Sequence, residues 1–303
     1  MQQITRRDYI KGTVTAMAGA MAGAMLPTTS QGQQPPPAQG QPAPAPAQAQ
    51  QAPAAAPGTV TFNTVITKLK NKQQVFCDNV IQPDLEAAKK ACEGVDYIWI
   101  EMQHSTLTWR EEQQLIKVIA EAGCIPFVRV PNANVGDIQK AVDSGALGII
   151  IPMVESVEEA RNGVLFSKYP LSLRDNPNTK PWGLRSNGYG QAPALWGKDY
   201  ETNANNNIFI MIQIESPIGT GLIDRILDQV EGIDAVMLAS NDFGRFGGDR
   251  DGSPTYNARE EIVRKSVLAH GKILVGPSSW ANRPGYMMFQ GRKGATTTGY
   301  SPR

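Results

Sequence analysis

The sequence predicts an α/β fold, a (β/α)8 TIM barrel over residues 59–303, and three observations support this prediction. Short apolar segments alternate with helical patterns from Val75 onward. These segments are apolar along their whole length, as expected for parallel strands that are covered on both faces. Seven or eight strand–helix units in about 245 residues match the size of this barrel.

A doubly wound open sheet is the competing fold. Such a sheet carries a glycine-rich phosphate-binding turn after its first strand. The sequence contains neither a G-x-G-x-x-G motif nor a Walker A motif. The barrel is therefore the preferred prediction.

The predicted elements follow one another as strand–helix pairs. The strands are Val75–Val80, Tyr97–Glu101, Ile125–Val130, Gly148–Pro152, Ile208–Glu215, Ala235–Leu238 and Lys272–Val275. The helices are Asp84–Ala91, Arg110–Ala122, Val135–Ser144, Val157–Lys168, Ile218–Val230 and Asn257–His270. Arg283–Gln290 and Ala295–Tyr300 are candidates for the last helix and the last strand.

One segment, Leu171–Asn207, interrupts this alternation. It is long, polar and rich in glycine, proline and asparagine. A loop of this length in a compact domain is usually functional. Two interpretations stay open, a lid over the active site and a surface excursion that becomes ordered on the barrel.

The N-terminal fifth of the chain lies outside the predicted fold. Thr5–Lys11 has the twin-arginine pattern, and the following Gly12–Leu26 is too short and too weakly apolar for a membrane span. Residues 1–30 are therefore predicted to engage the Tat export machinery, with the protein periplasmic or anchored to the outer face of the inner membrane. Residues 31–58, almost entirely Gln, Pro and Ala, are predicted to be a disordered linker.

Charge and cysteine content exclude several classes of function. The net charge is +1 and no Lys/Arg cluster forms a stripe, so no nucleic-acid partner is expected. The three cysteines, Cys77, Cys92 and Cys124, are odd in number and widely spaced, which does not indicate a disulfide framework or a metal knuckle. We expect them to be small buried residues.

Polar residues at the predicted strand ends mark the candidate active site, because chemistry in barrels takes place at the C-terminal ends of strands. Of the two histidines, His270 ends a helix and is expected to interact with the helix dipole. His104 follows the second strand. Together with Arg129, Glu215 and Asp242 at neighbouring strand ends, it is predicted to be catalytic.

Glu215 and Asp242 form a candidate metal site. Two carboxylates without a nearby thiolate or second histidine favour Mg²⁺ or Mn²⁺, and Co²⁺ is also compatible. The alternative is that each carboxylate caps the helix that follows it. Ser216 can cap the helix after Glu215, which would leave Glu215 free.

Four segments carry a family resemblance: Met211–Glu215, Phe127–Pro131, Ile150–Val154 and the segment that ends at His104. In this order and spacing they resemble the HpcH/HpaI aldolase/citrate lyase family, whose fold is a barrel of the phosphoenolpyruvate/pyruvate type. The closest branch contains class II aldolases for 4-hydroxy-2-oxoheptanedioate and 2-keto-3-deoxy sugar acids. The similarity extends from about Phe62 to Val275, nearly the whole folded part.

The resemblance implies a set of contacts to a metal and a 2-oxo acid. Glu215 and Asp242 would hold the metal, and Arg129 would contact the keto or enolate oxygen. Gln213 would help to hold the 2-oxo acid. The backbone amides near Asn241 and Asp242 would receive its carboxylate.

The resemblance also implies a proton-transfer pair, with His104 as the base and Asp143 as its acidic partner. One departure is Glu101-Met102-Gln103-His104, where the family often has Asp-x-Glu-His. The implied assembly is a homo-oligomer.

The implied reaction is reversible cleavage of a 4-hydroxy-2-oxo acid to pyruvate, or a pyruvate analogue, and an aldehyde through a metal-stabilised enolate. No predicted strand end carries a lysine, which disfavours Schiff-base chemistry. One alternative is a citrate-lyase-like enzyme that acts on an acyl-CoA thioester. Another is an exported, non-catalytic protein that binds 2-oxo acids.

Overall fold

Eight parallel strands close into a barrel, which confirms the predicted fold class. The computed structural model describes residues 60–170, 183–188 and 190–294, all within the unit Ala55–Arg303. Each strand pairs with the next along the chain, and the eighth pairs with the first. The strands are β1 (Val75–Val80), β2 (Tyr97–Glu101), β3 (Ile125–Arg129), β4 (Gly148–Ile151), β5 (Phe209–Ile214), β6 (Ala235–Leu238), β7 (Ile273–Pro277) and β8 (Tyr286–Gln290).

Three segments with predictions lie outside the described residues: the twin-arginine segment, the 31–58 linker and Ala295–Tyr300. Within the described ranges, no helix combines the length and the apolar character that crossing a membrane requires.

Ten helices surround or close the barrel in the described part of the chain. They are α1 (Thr64–Lys70), α2 (Leu85–Ala91), α3 (Trp109–Glu121), α4 (Val135–Ser144), α5 (Val157–Ser167), α6 (Ala192–Trp196), α7 (Tyr200–Asn207), α8 (Pro217–Gln229), α9 (Ser240–Gly247) and α10 (Pro254–Ala269). Side chains accept a first-turn amide at six barrel-helix N-termini, namely Asp84, Thr108, Asn134, Ser156, Ser216 and Ser253. These caps set where the helices begin, because they satisfy amides that have no partner inside the helix.

Most strand residues are buried, and β2, β4, β5 and β6 are buried completely. One face of each strand packs into the barrel interior and the other packs under the helices, so alternation with polar residues is absent. Aromatic residues join β8 to β1 and β2. The Phe76 and Phe289 rings stack with centroids 5.0 Å apart, and the Tyr97 hydroxyl donates to the Phe289 carbonyl at 2.9 Å.

The short helix α1, which we did not predict, closes the N-terminal end of the barrel. The Asn63 amide donates to the carbonyls of Leu147 and Asn207, each at 2.9 Å. The Asn207 side-chain oxygen accepts from the backbone amides of Phe62 and Asn63. These bonds satisfy polar groups at the start of two strands, which burial would otherwise leave unpaired.

Two local predictions are wrong. Tyr286–Gln290 is the eighth strand, whereas we expected a helix over Arg283–Gln290. These residues pair with both β7 and β1, and a short apolar run does not by itself distinguish a strand from a helix. In addition, Ser240–Gly247, which had no predicted helix or strand, forms α9.

The long segment between α5 and β5 joins the C-terminal end of a helix to the start of a strand. It therefore emerges at the N-terminal end of the barrel, opposite the rim where strands end. Its described parts include α6 and α7 and pack on α3 and α4. The Gln191 amide donates to the carbonyls of Gln113 and Ser144, and the Trp196 indole donates to the Gly145 carbonyl. The described part is an ordered excursion and does not cover the rim of its own barrel.

Candidate active site

The candidate site lies at the C-terminal rim, where residues far apart in sequence come together. Glu101 and Arg129 end adjacent strands β2 and β3 and are aligned in register. Gln213 lies on β5, and Glu215 is the first residue after the end of this strand. Asp242 lies in the first turn of α9, which follows β6.

Arg129 is at the centre of this group, with its side chain 11% exposed. Its guanidinium forms an ion pair with Glu101, and Nε donates to Glu101 Oε2 at 2.6 Å. Nη1 donates to the Gln213 side-chain oxygen at 3.4 Å, and the group lies over the Trp99 ring, 5.3 Å from its centroid. These contacts from three directions hold the positive charge in one place, as required for stabilising a developing negative charge.

Glu101 is a site residue that we did not predict. Its Oε2 accepts a hydrogen bond from Arg129 Nε, and the Trp99 indole donates to the same oxygen at 3.2 Å. Its Oε1 accepts the backbone amides of Gln103 at 2.8 Å and His104 at 3.0 Å. One buried carboxylate thus positions both Arg129 and the chain that carries His104. The register of β2 and β3 puts the opposite charges of Glu101 and Arg129 side by side, and this pairing is the signal that could have identified Glu101 as a site residue.

Glu215 is a buried carboxylate whose charge is incompletely compensated. It is 3% exposed, and its Oε2 accepts the backbone amide of Met153 at 2.9 Å. Burial raises the pKa of its carboxyl to about 7; Arg129 lowers this pKa, and Asp242 raises it. A cation between Glu215 and Asp242 would relieve both the desolvation and the repulsion.

Met153 has a left-handed backbone conformation, with φ at 50°. This conformation is unfavourable for a residue with a side chain, and it occurs at functional sites where the surroundings maintain it. Here it directs the Met153 amide to Glu215. Met153 therefore orients the carboxylate.

Helix capping does not account for either carboxylate. Ser216 caps α8 by accepting the Gly219 amide at 3.2 Å, which leaves Glu215 free. The N-cap of α9 is Ala239, whose side chain cannot accept a first-turn amide. Asp242 is the third residue of the helix, within its first turn. The backbone amides of Asn241 and Asp242 lie in the first turn, at the positive end of the helix, where they can donate to an anionic group.

The residues present fit a hard divalent cation with few protein ligands. The described residues contain no group of three or more His, Cys, Asp or Glu side chains that could hold a metal ion. Two carboxylates remain, the number with which Mg²⁺ is often held while water and substrate fill its other positions. Gln103 Oε1 is buried without a hydrogen-bond partner among the described residues, and it can accept from such a water.

A cavity of about 250 Å³ adjoins the N-terminus of α9. Its walls include Ser240, Asn241, Asp249, Arg250 and Trp280. The polar side chains in its wall, and the position of Asn241 next to Asp242 in the chain, make the cavity suitable for the part of a substrate that extends away from the metal site.

His104 and Asp143 do not meet within the chain. His104 is exposed beyond the end of β2, and its ring forms no hydrogen bond with another described residue. Asp143 lies in the last turn of α4, which leads back to the start of β4. There its Oδ1 accepts from Arg185, whose Nη2 is at 2.8 Å. The two side chains are at opposite ends of their strand–helix units.

Comparison with known proteins identifies relatives of this chain. The 2-keto-3-deoxy-L-rhamnonate aldolase of Escherichia coli (strain K12) is 29% identical over 187 residues, 60% of this chain and 66% of the relative, just under two thirds of its length. The HpcH/HpaI aldolase structure from Desulfitobacterium hafniense DCB-2 is 27% identical, with a TM-score of 0.66, and the match covers 76% of this chain and 90% of that one. The structure of citrate synthase SbnG is also 27% identical, with a TM-score of 0.62 and coverage of 75% and 89%.

The family model for HpcH/HpaI aldolase/citrate lyase matches residues 82–295. This range includes β2 to β8 and every residue of the rim site described above. The expected resemblance is thereby confirmed, and the chain belongs to the HpcH/HpaI aldolase/citrate lyase family.

Proposed function

We propose that this protein is a class II aldolase that reversibly cleaves a 4-hydroxy-2-oxo acid into pyruvate, or a pyruvate analogue, and an aldehyde. The observation that carries the proposal is the incompletely compensated carboxylate Glu215, with Asp242 and Arg129 beside it. The relatives named as aldolases support the same reaction class.

The residues have distinct roles in this reaction. Glu215 and Asp242 would hold a divalent cation, Mg²⁺ or Mn²⁺ with Co²⁺ as a further candidate, which when bound acts as a Lewis acid toward the 2-oxo acid. Arg129 directs its guanidinium to the oxygen that gains negative charge as the carbon–carbon bond breaks. Gln213 orients the bound acid, and the amides at Asn241 and Asp242 receive its carboxylate.

His104 is the proposed base. Cleavage requires that the 4-hydroxyl lose its proton as the bond breaks, and an imidazole is the usual acceptor near neutral pH. Exposure at the rim leaves its ring free to reach a substrate hydroxyl. Glu101 positions the ring by holding the His104 backbone amide.

The decisive experiment is an assay of pyruvate with a panel of aldehydes, with added Mg²⁺, Mn²⁺ or Co²⁺. We expect condensation products that disappear on chelation and return with metal. Glu215→Gln should be inactive, and the matched control Glu231→Gln, on an exposed turn, should be fully active. Full activity after exhaustive chelation would contradict the metal role. Tight binding of pyruvate without turnover of any aldehyde would instead favour a non-catalytic binding protein.

A citrate-lyase-like reaction on an acyl-CoA thioester is the second candidate, favoured by the similarity to citrate synthase SbnG. Both reactions would use the carboxylates and Arg129. Both cleavages remove the proton of a hydroxyl next to the bond that breaks, and they differ in the carbonyl that stabilises the enolate, a 2-oxo acid in one and a thioester in the other. Formation of acetyl-CoA from a 3-hydroxyacyl-CoA thioester, without cleavage of any 4-hydroxy-2-oxo acid, would support this candidate.

We further propose that Asp143 assists His104 of a second copy of the chain in a homo-oligomer. Within one chain, Asp143 is held at the other end of α4, and its side chain is 25% exposed. A pair with the His104 of the same chain would require a rearrangement of α4. A pair between copies requires only that the N-terminal end of one barrel approach the rim of the other.

Complementation tests this assignment. His104→Ala and Asp143→Ala should each be impaired, and co-expression should form mixed oligomers with restored activity. With random mixing, about a quarter of the sites would carry both native residues. Activity equal to the mean of the two parent variants, with mixed oligomers confirmed by mass, would reject the shared site. Full activity in a monomer would reject it as well.

Export through the Tat pathway is also a proposal, and it rests on the Arg6-Arg7 pattern. This pathway would deliver the protein to the periplasm or to the outer face of the inner membrane. Arg6→Lys with Arg7→Lys should retain the protein in the cytoplasm, as judged by cell fractionation. Undiminished periplasmic or membrane-associated protein would reject the assignment.

A further inference from the structure

We infer that Cys92 and Cys124 are a redox-active pair that closes into a disulfide when the protein meets an oxidising thiol–disulfide environment. The inference is independent of the proposed aldolase function. The two residues are widely separated in sequence, and the fold brings their side chains together on the outside of the barrel.

Topology places the two residues side by side. Cys92 is the C-cap of α2, and Cys124 immediately precedes β3. Tyr97 at the start of β2 is aligned with Ile125 at the start of β3. The two helix-to-strand connections therefore lie next to each other at the N-terminal end of the barrel, and both cysteines are free thiols.

The two sulfurs are neighbours: the Cys124 thiol donates to the Cys92 sulfur, and the Cys92 thiol donates to the Ala88 carbonyl at 3.4 Å. Cys124 is 4% exposed, whereas Cys92 is partly exposed at the surface. Cys92 is thus the sulfur that a reagent can reach, and Cys124 is the buried sulfur next to it. This is the arrangement of an attacking thiol and a resolving thiol.

The surroundings favour the thiolate at Cys92. The hydrogen bond from Cys124 lowers the pKa of Cys92, burial raises it, and the charge of Arg292 lowers it. Arg292 is anchored on both sides of Cys92, because its guanidinium donates to the carbonyls of Ala91 and Glu93. The same hydrogen bond, together with burial, raises the pKa of Cys124.

The chemistry is a two-step exchange with a small-molecule disulfide such as oxidised glutathione. The Cys92 thiolate attacks one sulfur of the disulfide and releases one thiolate, which takes up a proton from solvent. Cys124 then loses its proton and attacks the Cys92 sulfur, which releases the second thiol. Two protein thiols are oxidised to one disulfide, and one disulfide is reduced to two thiols.

The resulting crosslink would close a loop of about 30 residues that contains β2 and α3. Because it lies at the opposite end of the barrel from the rim, it should stabilise the fold and leave the active site unchanged.

The test uses purified full-length protein incubated with oxidised glutathione and then denatured for thiol counting. Three thiols should fall to one, and peptide mapping without reduction should find residues 92 and 124 in one crosslinked species. The melting temperature should rise by roughly 5–10 °C and return on reduction with dithiothreitol.

Cys77 provides the matched control. It is buried in β1 without a cysteine neighbour. The Cys77→Ala variant should therefore lose both of its remaining thiols on oxidation. The Cys92→Ser variant should form no intramolecular disulfide. Retention of all three thiols in the wild type would overturn the inference. So would a stable glutathione adduct on Cys92 with Cys124 still free. Both readouts come from the wild type and do not depend on the folding of a variant.

Discussion

Buried charge is present at both ends of the barrel, but it is treated differently at each end. At the N-terminal end, the buried Lys168 ammonium donates to the carbonyls of Asn205 and Ile208, each at 2.6 Å, and faces Asp234. Burial lowers the pKa of Lys168 and raises that of Asp234, and each charge opposes the shift in the other. At the rim, Glu215 has one backbone donor and a second carboxylate nearby.

This difference distinguishes charged groups that stabilise the fold from charged groups that take part in the chemistry. Lys168 and Asp234 compensate each other within the chain, so removal of either charge should cost stability. Glu215 at the rim is incompletely compensated without a ligand, so removal of its charge should cost activity. The following predictions test this division.

The largest effect is expected from Glu215→Gln. The substitution keeps the shape of the side chain and removes the charge that would hold a cation, so activity should fall by about 10³-fold or more. The melting temperature should stay the same or rise, because a buried repulsion with Asp242 is relieved. Parallel measurement of turnover and thermal unfolding checks both parts. A large loss of stability would show that Glu215 belongs to the structural class.

Lys168→Met should have the opposite profile. It leaves the buried Asp234 without its compensating charge, and we expect a loss of about 3 kcal/mol in the free energy of unfolding. Denaturant titration measures this loss, and kcat of the folded fraction should be unchanged. A change in kcat with native stability would contradict the structural assignment.

His104→Ala sharpens the division within the rim itself. Aldol cleavage should fall by about 10²-fold, the usual value of a positioned base. Decarboxylation of oxaloacetate needs no such base and should be largely spared. Arg129→Ala should damage both reactions, because its charge stabilises the enolate common to both. Equal losses of the two activities in His104→Ala would show that His104 is not the base.

Met153 tests whether backbone strain at the rim is functional. Met153→Gly tolerates the φ of 50° and should keep most of the activity. Met153→Val is disfavoured in this conformation and should lose about 1–2 kcal/mol of stability and several-fold in activity, since its amide would turn away from Glu215. Identical behaviour of the two variants would remove the orienting role of Met153.

The smallest effect concerns His270, a surface group far from the rim. The hydrogen bond to Asp228 raises the pKa of His270 above its ordinary value. The protonated form therefore stabilises the fold below about pH 6.5, and this contribution is lost as the pH rises through the raised value. Wild type should exceed His270→Gln by about 1–3 °C in melting temperature at low pH, and the difference should shrink above neutrality. A difference that grows with pH would contradict this sign.

The barrel was largely predictable because its pattern is local. Whole-length apolar runs followed by helical patterns identified β1 to β7 within one or two residues at each end. The eighth unit failed for the same reason, since the Tyr286–Gln290 run is short and its strand character comes from pairing with β7 and β1.

The candidate site was predictable in part. Strand-end position and residue chemistry singled out His104, Arg129, Glu215 and Asp242, and the capping of α8 by Ser216 agrees with the role expected of it. Glu101 was not recognised, because its importance depends on which neighbours its two oxygens meet across β2 and β3.

Periodicity and residue chemistry along the chain were therefore sufficient for the fold class, the order of the strand–helix units and the carboxylates at their ends. Each of these depends on residues within a few positions of one another. Only the closed barrel decided three other features. It put Asp143 beside Arg185, brought the long segment out at the N-terminal end, and brought Cys92 next to Cys124. Closure sets which helix-to-strand connections become neighbours, and contacts between distant segments leave no periodic trace in the sequence.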